Sequence, residues 1–369
     1  MFIIFQLFVV ITSLTNALVY LKKLKVPLIY RLIVLFLFAF VPVFPLYSIC
    51  FVKDIFFGAL LLFLIIEFHK LLTKNNYRLI NYLTLGLLIL FMMLVRNNGV
   101  YIILLSFIPL IFFIKKERLA LILVLISSIS IYFVHNNILL PAWHITGTSI
   151  REALSVPIQQ TARLVKYHEE DISLKDKKII NKLLNYEGLA ENYEPNIADP
   201  VKDEFKKGVT KEDLQAYFKV WAKGFLKHPG VYINATINTI YGYFYPNTSN
   251  WYIYHNYNKI LVRNGFDYHF NKLSWTRKIL ENFAVSYPYV PLLGAQVNIG
   301  FNTWIYLYLL AFLIHEHQKK LLPLILPGLA LLLTYIVGPV NTYFRYVLPL
   351  VICLPILIGI IYQSTVAKK

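Results

Sequence analysis

The sequence has few charged residues and few cysteines for its length. Charged residues make up 15% of the 369 residues, whereas a soluble globular domain usually has about 25%. This shortage excludes a water-soluble enzyme. The two cysteines, Cys50 and Cys353, lie inside or beside apolar runs, which excludes a disulfide framework and a cysteine metal site. The sequence also contains no Gly-rich phosphate loop, no Gly-x-Ser-x-Gly motif and no His-Glu-x-x-His motif.

What the sequence does have is long apolar runs, with 58% hydrophobic residues and a mean hydropathy of +0.59. Runs of about 18 residues or more are long enough to cross a hydrocarbon core about 30 Å thick. Together with the basic loops between them, they predict about nine membrane-spanning helices. The predicted spans are 2–21, 28–48, 55–71, 79–95, 98–114, 119–136, 298–314, 321–339 and 345–362. The first span is too long for a secretory signal, so we expect it to be retained.

The basic residues outside residues 138–297 sort to one side of this topology. Fourteen of them lie in loops or the tail on one side, and only Lys53, Arg96 and Arg345 lie on the other. The positive-inside rule therefore predicts a multi-pass protein of the cell membrane with a cytoplasmic C-terminus and an outside N-terminus. The net charge of +17 then reflects orientation in the bilayer and does not indicate a nucleic-acid partner.

A long, nearly charge-balanced segment separates spans six and seven. It holds 15 of the 19 acidic residues and 19 of the 36 lysines and arginines, and the topology places it outside the cytoplasm. The prediction is an all-α membrane protein with an N-terminal bundle of about six spans (1–137), a mostly helical extracytoplasmic insert (138–297) and a C-terminal bundle of about three spans (298–369).

Local patterns support helices in the insert. Ser149 with Glu152 has the form of a capping box for a helix running to about Tyr167, and Thr210 with Asp213 has the same form for a helix ending at His228. Residues 231–258 are rich in Tyr, Asn and Phe, which indicates either contact with the outer headgroups or aromatic packing within the insert.

Asp54 is the first candidate for a catalytic residue. It is the only acidic residue outside the insert on the predicted outer side, and charged residues at membrane depth are costly and commonly functional. A helix cap for the third span is the alternative role, because Asp stabilises the positive end of a helix dipole, and both roles can coexist.

Arg96 and Arg345 are the candidates for binding a phosphate. Arginine presents a planar fork of donors that matches phosphate oxygens, so two guanidinium groups at headgroup depth suit a lipid phosphate or pyrophosphate. The alternative is unspecific contact of both side chains with phospholipid headgroups.

In the insert, polar side chains share an early helix close to the membrane exit. Gln159 and Arg163 lie on one face at i, i+4 spacing, where an amide and a guanidinium group could hold sugar hydroxyls or a phosphate. A merely solvated face is the alternative. Glu152 and Gln160 lie on the same segment, and Pro157 is expected to kink or break it. The pair of histidines in His315-Glu316-His317 point different ways on a helix, so we expect no metal site there.

Several segments of the insert resemble a family of Gram-positive bacterial multi-span membrane proteins of unknown function. They are EALSVPIQQTAR at 152–163, NYEP at 192–195, DPVK at 199–202, HPG at 228–230 and YGYFYP at 241–246. That family in turn resembles the GT-C class of membrane glycosyltransferases, which use polyprenyl-phosphate sugars on the outer membrane face.

The resemblance to the GT-C class implies a function and roles for single residues. Lys53-Asp54 matches the acidic position in the second outer loop, and Arg345 matches a basic residue near the last outer loop that holds the donor phosphate. A carboxylate, Asp54 or Glu152, would act as general base, and Lys53, Arg96 and Arg345 would bind the donor phosphate. The partners would be a lipid-linked sugar, an envelope glycan acceptor and the bilayer. Gln159, Gln160 and Arg163 would then bind the acceptor or the sugar. No organic cofactor is expected, and a role for a divalent cation is left open.

One departure from the GT-C pattern leaves other functions open. GT-C enzymes usually begin inside and carry their main acidic motif in a first outer loop, whereas this chain begins directly with a span. Either an upstream helix and loop are missing, or the protein is a non-catalytic subunit of an envelope complex, or Asp54 or Glu152 has taken over as the base. A transporter or flippase of lipid-linked intermediates is the alternative from another class, for which charges or broken helices near the bilayer midplane would be expected.

Overall fold

A computed structural model describes residues 1–73, 77–145, 149–248, 265, 272–338 and 341–366 of the chain. The chain divides into two compact units. Unit 1 comprises Met1–Val134, Tyr245–Leu331 and Tyr343–Lys369, and unit 2 comprises His135–Phe244 and Leu332–Thr342. The described residues form helices, and their only β pairing consists of isolated bridges. The prediction of an all-α protein is therefore confirmed.

Unit 1 begins with a series of apolar helices. They are α1 (Phe2–Lys23), α2 (Leu28–Phe40), α3 (Val43–Ile49), α4 (Lys53–Thr73), α5 (Leu79–Val95), α6 (Gly99–Phe113) and α7 (Arg118–Val134). Most of them have no charged residue between their first and last turns, because they follow the apolar runs of the sequence.

The predicted span 28–48 is divided into two helices. α2 and α3 are bent by 45° at the break between them. Pro42 explains the break: it has no backbone N–H to continue the helix, and the residue before a proline favours extended backbone, as Val41 shows with φ −71° and ψ 121°. One apolar run in the sequence therefore gives two helix directions.

Unit 2 contains the helices of the polar segment, several of them short. They are α8 (Leu140–Ala142), α9 (Ile150–Ala153), α10 (Ser155–Tyr167), α11 (Leu174–Leu183), α12 (Tyr186–Glu191), α13 (Asp199–Lys202), α14 (Lys211–Lys227) and α15 (Pro229–Ile240). A core of aliphatic and tyrosine side chains, including the almost fully buried Tyr193, Tyr217 and Tyr232, packs these helices together. The polar segment thus has a hydrophobic core of its own.

The two predicted capping boxes in unit 2 have different outcomes. Thr210 and Asp213 form the predicted capping box at the start of α14, which is confirmed. Ser149 does cap a helix, but its hydroxyl accepts from the backbone N–H of Arg151, and that helix ends after four residues. The helix predicted to run to Tyr167 is broken at Leu154, three residues before Pro157, which was expected to kink or break it.

The C-terminal helices complete the described chain. They are α16 (Ser274–Ser286), α17 (Ile299–His315), α18 (Leu322–Val337) and α19 (Phe344–Val366). The predicted insert, 138–297, therefore covers most of the longer segment of unit 2, and its described residues from Tyr245 onward cluster with unit 1. Of the predicted aromatic stretch 231–258, the part beyond residue 248 lies outside the described residues. So do three of the fourteen basic residues assigned to the cytoplasmic side, Lys74, Lys368 and Lys369.

α4 and α19 form the centre of unit 1. In the most apolar 18 residues of each of these helices, 78% of the residues are buried. The corresponding share is 22% in α1 and 17% in the continuous helix Arg118–Ala142, which begins with α7. A glycine allows the two central helices to approach closely. A Cβ atom at Gly58 of α4 would lie 2.6 Å from Ile352 Cδ1 and 3.1 Å from Pro349 Cα of α19.

The apolar helices show that the protein is a multi-pass membrane protein. By length and composition, the described residues contain five helices able to cross a bilayer, or six if α2 and α3 count as one bent span. α5, α6 and α17 are apolar but shorter, with 15 to 17 residues. Such helices need a lipid environment, because water would solvate their apolar side chains poorly.

Candidate functional site

Four charged side chains lie near one another where three helices of unit 1 begin or end. Lys53 and Asp54 lie in the first turn of α4, Arg96 directly follows α5, and Arg345 lies in the first turn of α19. We call Lys53, Asp54, Arg96 and Arg345 the four-charge cluster. The structure thus brings together four of the residues that the sequence indicated.

The closest contact in the cluster joins Asp54 and Arg96. Asp54 Oδ1 lies 3.0 Å from Arg96 Nη1, and only 4% of the Asp54 side chain and 6% of the Arg96 side chain are exposed. Burial costs a charge several kcal/mol in lost hydration, and a partner of opposite sign offsets this cost. The ion pair between the two residues therefore offsets part of the cost of burying both charges.

A tight turn positions Arg96. Its backbone is extended, and its N–H donates to Met92 O at the end of α5, while its carbonyl accepts from the N–H of Gly99. A Cβ atom at Gly99 would lie 2.3 Å from Met92 O, so any larger residue would force this turn open. The turn therefore requires glycine three residues after Arg96.

Aromatic rings orient the two arginines. The guanidinium carbon of Arg96 lies 5.3 Å from the centre of the Phe57 ring and 5.8 Å from that of Tyr346. Arg345 lies 4.9 Å from the centre of the same Tyr346 ring and also donates from Nη2 to Tyr346 Oη at 3.1 Å. Tyr346 is thus shared by both arginines, and cation–π attraction holds each guanidinium group in place.

The charges of the cluster are unbalanced. Lys53 interacts electrostatically with Arg96, Asp54 and Arg345. Three cations and one carboxylate give these four side chains a formal charge of +2. Two oriented guanidinium groups and one ammonium group are the donors that proteins use to hold phosphate oxygens. The cluster is therefore chemically suited to a phosphate group.

Comparison with known proteins gives one match that covers almost the whole chain. The profile of a family of unknown function, DUF6020, matches residues 1–368. The chain belongs to the family DUF6020. No curated protein and no solved structure matches the chain. Membership of DUF6020 agrees with the predicted resemblance to a family of unknown function, and it assigns no activity to the cluster.

The second candidate for the general base, Glu152, lies in unit 2 of this DUF6020 protein. Its carboxylate accepts from Lys202 Nζ at 2.7 Å and from Arg151 Nε at 3.3 Å. Lys202 is buried and also donates to Asp199 at 2.8 Å. Burial raises the pKa of Glu152, but the hydrogen bonds and charges of Lys202 and Arg151 outweigh it and hold that pKa below its usual value. Glu152 therefore balances a buried lysine.

Gln159 and Gln160 are buried and bind other parts of unit 2. Gln159 Nε2 donates to Glu194 O at 2.5 Å. Gln160 Nε2 donates to Thr236 Oγ1 at 2.9 Å, and its carbonyl oxygen accepts from Trp221 Nε1, also at 2.9 Å. A solvated face, the alternative weighed from the sequence, does not describe these two side chains, because they are 2% and 8% exposed.

Arg163 contacts the same short segment as Gln159. Its Nη1 donates to Tyr193 Oη at 2.9 Å, and its guanidinium carbon lies 4.9 Å from the centre of the Tyr167 ring. Gln159 and Arg163 thus share a helix face, and they use it to hold residues 193 and 194 against α10. Their binding of a sugar or an acceptor stays a prediction.

Sequence reasoning missed the aromatic residues of the cluster. Phe57, Tyr343 and Tyr346 surround the arginines, with Tyr343 5.4 Å from the guanidinium carbon of Arg345. The signal was present in Tyr343-Phe344-Arg345-Tyr346, where aromatic residues flank a rare charge. Aromatic residues next to an arginine at the start of an apolar helix can hold its guanidinium group by cation–π attraction.

Proposed function

We propose that this protein is an integral membrane glycosyltransferase that moves a sugar from a polyprenyl-phosphate carrier to an envelope glycan on the outer face. The single observation that carries the proposal is the four-charge cluster, with its formal charge of +2 and its buried carboxylate. A phosphate needs the cations, and an acceptor hydroxyl needs a base. A cluster that supplies both groups beside apolar helices suits a donor whose phosphate is attached to a lipid.

The proposed topology has nine spans with the N-terminus outside. The bent pair α2–α3 and the short helices α5, α6 and α17 coincide with predicted spans, and 15 to 17 residues extend about 22–26 Å along a helix axis. In this topology the start of α4, the end of α5 and the start of α19 all lie on the outer side, and the segment 138–297 is extracytoplasmic. The cluster then lies at the depth of the outer headgroups.

The proposed reaction is an inverting displacement. The acceptor oxygen forms a bond to the anomeric carbon while the bond from that carbon to the donor phosphate oxygen breaks. The hydroxyl proton passes to the carboxylate of Asp54, and the leaving polyprenyl phosphate gains negative charge. Arg96, Arg345 and Lys53 stabilise that charge as it develops. When the donor binds, Arg96 breaks its ion pair with Asp54 and pairs with the phosphate instead. The carboxylate of Asp54 is then available as a base.

The test follows a radiolabelled sugar in membranes that contain the expressed chain. Polyprenyl-phosphate sugars are supplied, and label is followed from the lipid into envelope glycan. We expect the unaltered chain to transfer label and Asp54→Asn to lower the rate by about 100-fold or more, since general-base catalysis contributes at least that much. Arg345→Gln should mainly weaken donor binding, because it removes a phosphate ligand.

The matched control is Glu67→Gln on the same helix. Glu67 is also a buried carboxylate of α4, but it is paired with Lys70 at 2.6 Å, thirteen residues after Asp54. All variants must be inserted at equal levels. Equal loss of transfer in both variants would show a general effect on the fold. Absence of transfer by the unaltered chain from every donor would refute the catalytic proposal and favour a non-catalytic subunit of an envelope complex.

The break between α2 and α3 favours a second candidate function. Transporters of polar substrates commonly use discontinuous membrane helices, and this pair is bent by 45°. The same membranes discriminate the two functions. A transporter of lipid-linked intermediates would move the labelled lipid between leaflets while leaving the sugar on its carrier, whereas the enzyme would release the carrier.

A further inference from the structure

We propose that unit 2 carries a binding site for a zinc-type divalent metal ion, formed by His168, Asp171 and His228. Each residue offers one ligand atom, and these atoms lie within 4.8 Å of one another. Two imidazoles and one carboxylate are ligands that zinc prefers, and three protein ligands leave a fourth position open for water or another ligand. The proposal concerns a different part of the chain from the four-charge cluster and does not depend on it.

Three chain segments bring the ligands together. His168 follows the last residue of α10, and its N–H donates to Leu164 O. Asp171 ends the 3₁₀ turn Glu169–Asp171 that comes next. His228 follows the last residue of α14, sixty residues after His168. Two helix C-termini thus meet at the site, together with the N-terminus of α15, which begins directly after His228.

The contacts among the three side chains suit a shared ion. His228 Nε2 lies 2.9 Å from Asp171 Oδ2. This nitrogen is buried, and its contact with the carboxylate oxygen does not have the geometry of an aligned hydrogen bond. The rings of His168 and His228 stack with their centres 4.2 Å apart and an angle of 22° between their planes, so one ring turns when both nitrogens bind the same ion. A buried ring nitrogen without an aligned partner has its coordinating position available.

The charges around the site are compatible with a bound cation. Lys227 forms an ion pair with Asp171 through the other carboxylate oxygen, Oδ1. An outer partner of this kind commonly orients a ligating carboxylate. Lys223 is also near and is paired with Asp176 at 2.6 Å. Glu170 adds a second carboxylate, with its Oε1 3.9 Å from His168 Nδ1.

A cleft gives the ion access to the site. It has a volume of about 30 Å³, enough for a water molecule, and its lining includes Asp171, His228, Lys227 and Trp221. Two of the three proposed ligands thus face an open space that admits water. The open fourth position of the ion is therefore expected on the cleft side, where a water or a polar group of a ligand would complete the coordination.

The test measures binding of Zn²⁺ alone to the full chain, purified in detergent and stripped of metal. Titration calorimetry should give one tight Zn²⁺ per chain, and Zn²⁺ should raise Tm because it binds the folded state. We expect Asp171→Asn to weaken binding by at least about 10-fold, since loss of even an outer partner has that effect. His168→Ala should do the same. His168 lies at the end of a helix and is partly exposed, so this variant decides the question if Asp171→Asn fails to fold.

The control is His315→Ala, which alters a histidine beside His317 in unit 1. Binding that survives in His315→Ala and fails in both ligand variants supports the site. Unchanged binding in Asp171→Asn and His168→Ala, each shown to be folded by its circular dichroism, would overturn it. Loss of the tight ion in His315→Ala would also overturn it, because it would locate the ion elsewhere.

Discussion

The two ends of α4 carry the same kind of group in different surroundings. At the end of the helix, both carboxylate oxygens of Glu67 have partners: Oε1 accepts from Lys70 Nζ at 2.6 Å and Oε2 from Tyr77 Oη at 2.7 Å. At the start, Asp54 lies beside Arg96, but its Oδ1 makes no aligned hydrogen bond. Glu67 and its neighbours Lys70 and Tyr77 thus have no net formal charge, whereas Asp54 belongs to a cluster with a formal charge of +2.

We propose that this difference separates a structural charge, Glu67, from a functional one, Asp54. Burial alone does not discriminate, because Asp54 is 3% exposed and Glu67 is 8% exposed. What differs is the balance of charge and the completeness of hydrogen bonding. A balanced, fully bonded group has nothing left to offer a ligand, whereas an excess of cations attracts an anion.

The largest effect is expected at the start of α4. Arg96→Gln leaves the Asp54 carboxylate buried without its closest cation, so we expect a loss of about 3–5 kcal/mol in the free energy of unfolding. Urea unfolding in detergent, followed by circular dichroism, measures this loss. Combining Arg96→Gln with Asp54→Asn should recover most of the stability, because the double variant keeps no buried carboxylate. A double variant as unstable as the sum of the two single variants would contradict the pairing.

A smaller effect is expected at the other end of the helix. Glu67→Gln loses the ion pair with Lys70 but keeps an acceptor for Tyr77, so we expect a loss of about 1 kcal/mol. Binding of a polyprenyl phosphate, measured by quenching of intrinsic tryptophan fluorescence, should stay unchanged. Weaker phosphate binding in this variant would remove the distinction between the two ends.

The smallest effect is expected at Glu152 of unit 2, a carboxylate that balances a buried lysine. Its pKa is lowered in the folded protein. The stability that it contributes is therefore present above the unfolded-state pKa, about 4.3, and is lost as the pH falls through the lower folded-state pKa. Because its side chain is 41% exposed, we expect less than about 1 kcal/mol.

This contribution is measured by urea unfolding at several pH values between about 3 and 6, the range in which a carboxyl group titrates. Glu152→Gln should reduce the acid-induced loss of stability. Asp203→Asn is the matched control, because Asp203 also pairs with Arg151 but is 72% exposed. An equal effect of both variants would mean that the buried lysine does not set the pH dependence.

Much of the fold follows from the sequence because membrane helices must satisfy their backbone internally. Apolar runs bounded by basic loops gave the positions of the helices of unit 1. The break at Pro42 was harder to predict, since Pro109 and Pro327 lie inside α6 and α18 without dividing them. Whether a proline bends or divides a helix depends on what packs around it. The break at Leu154 agrees with the expectation for Pro157, because in a continuous helix its ring would clash with the carbonyl of Ala153.

The candidate site was partly predictable because charge is rare in this chain. Asp54, Arg96 and Arg345 stood out as isolated charges among apolar residues, and the structure places them together. Rarity gave no comparable guide in unit 2, where charged residues are common. His168 and His228 are sixty residues apart, so only the packing of α10 and α14 brings them together.

Gly58 has a consequence for the dimensions of the four-charge cluster. It lies one helical turn after Asp54, and its contact Pro349 lies one turn after Arg345. The close approach that the missing side chain allows between α4 and α19 therefore also sets how far apart the acid and the arginine lie. Gly58 therefore affects the distance between Asp54 and Arg345 without contacting either residue. Under the proposed function, the size of anion that the cluster binds is therefore set in part by this apolar contact.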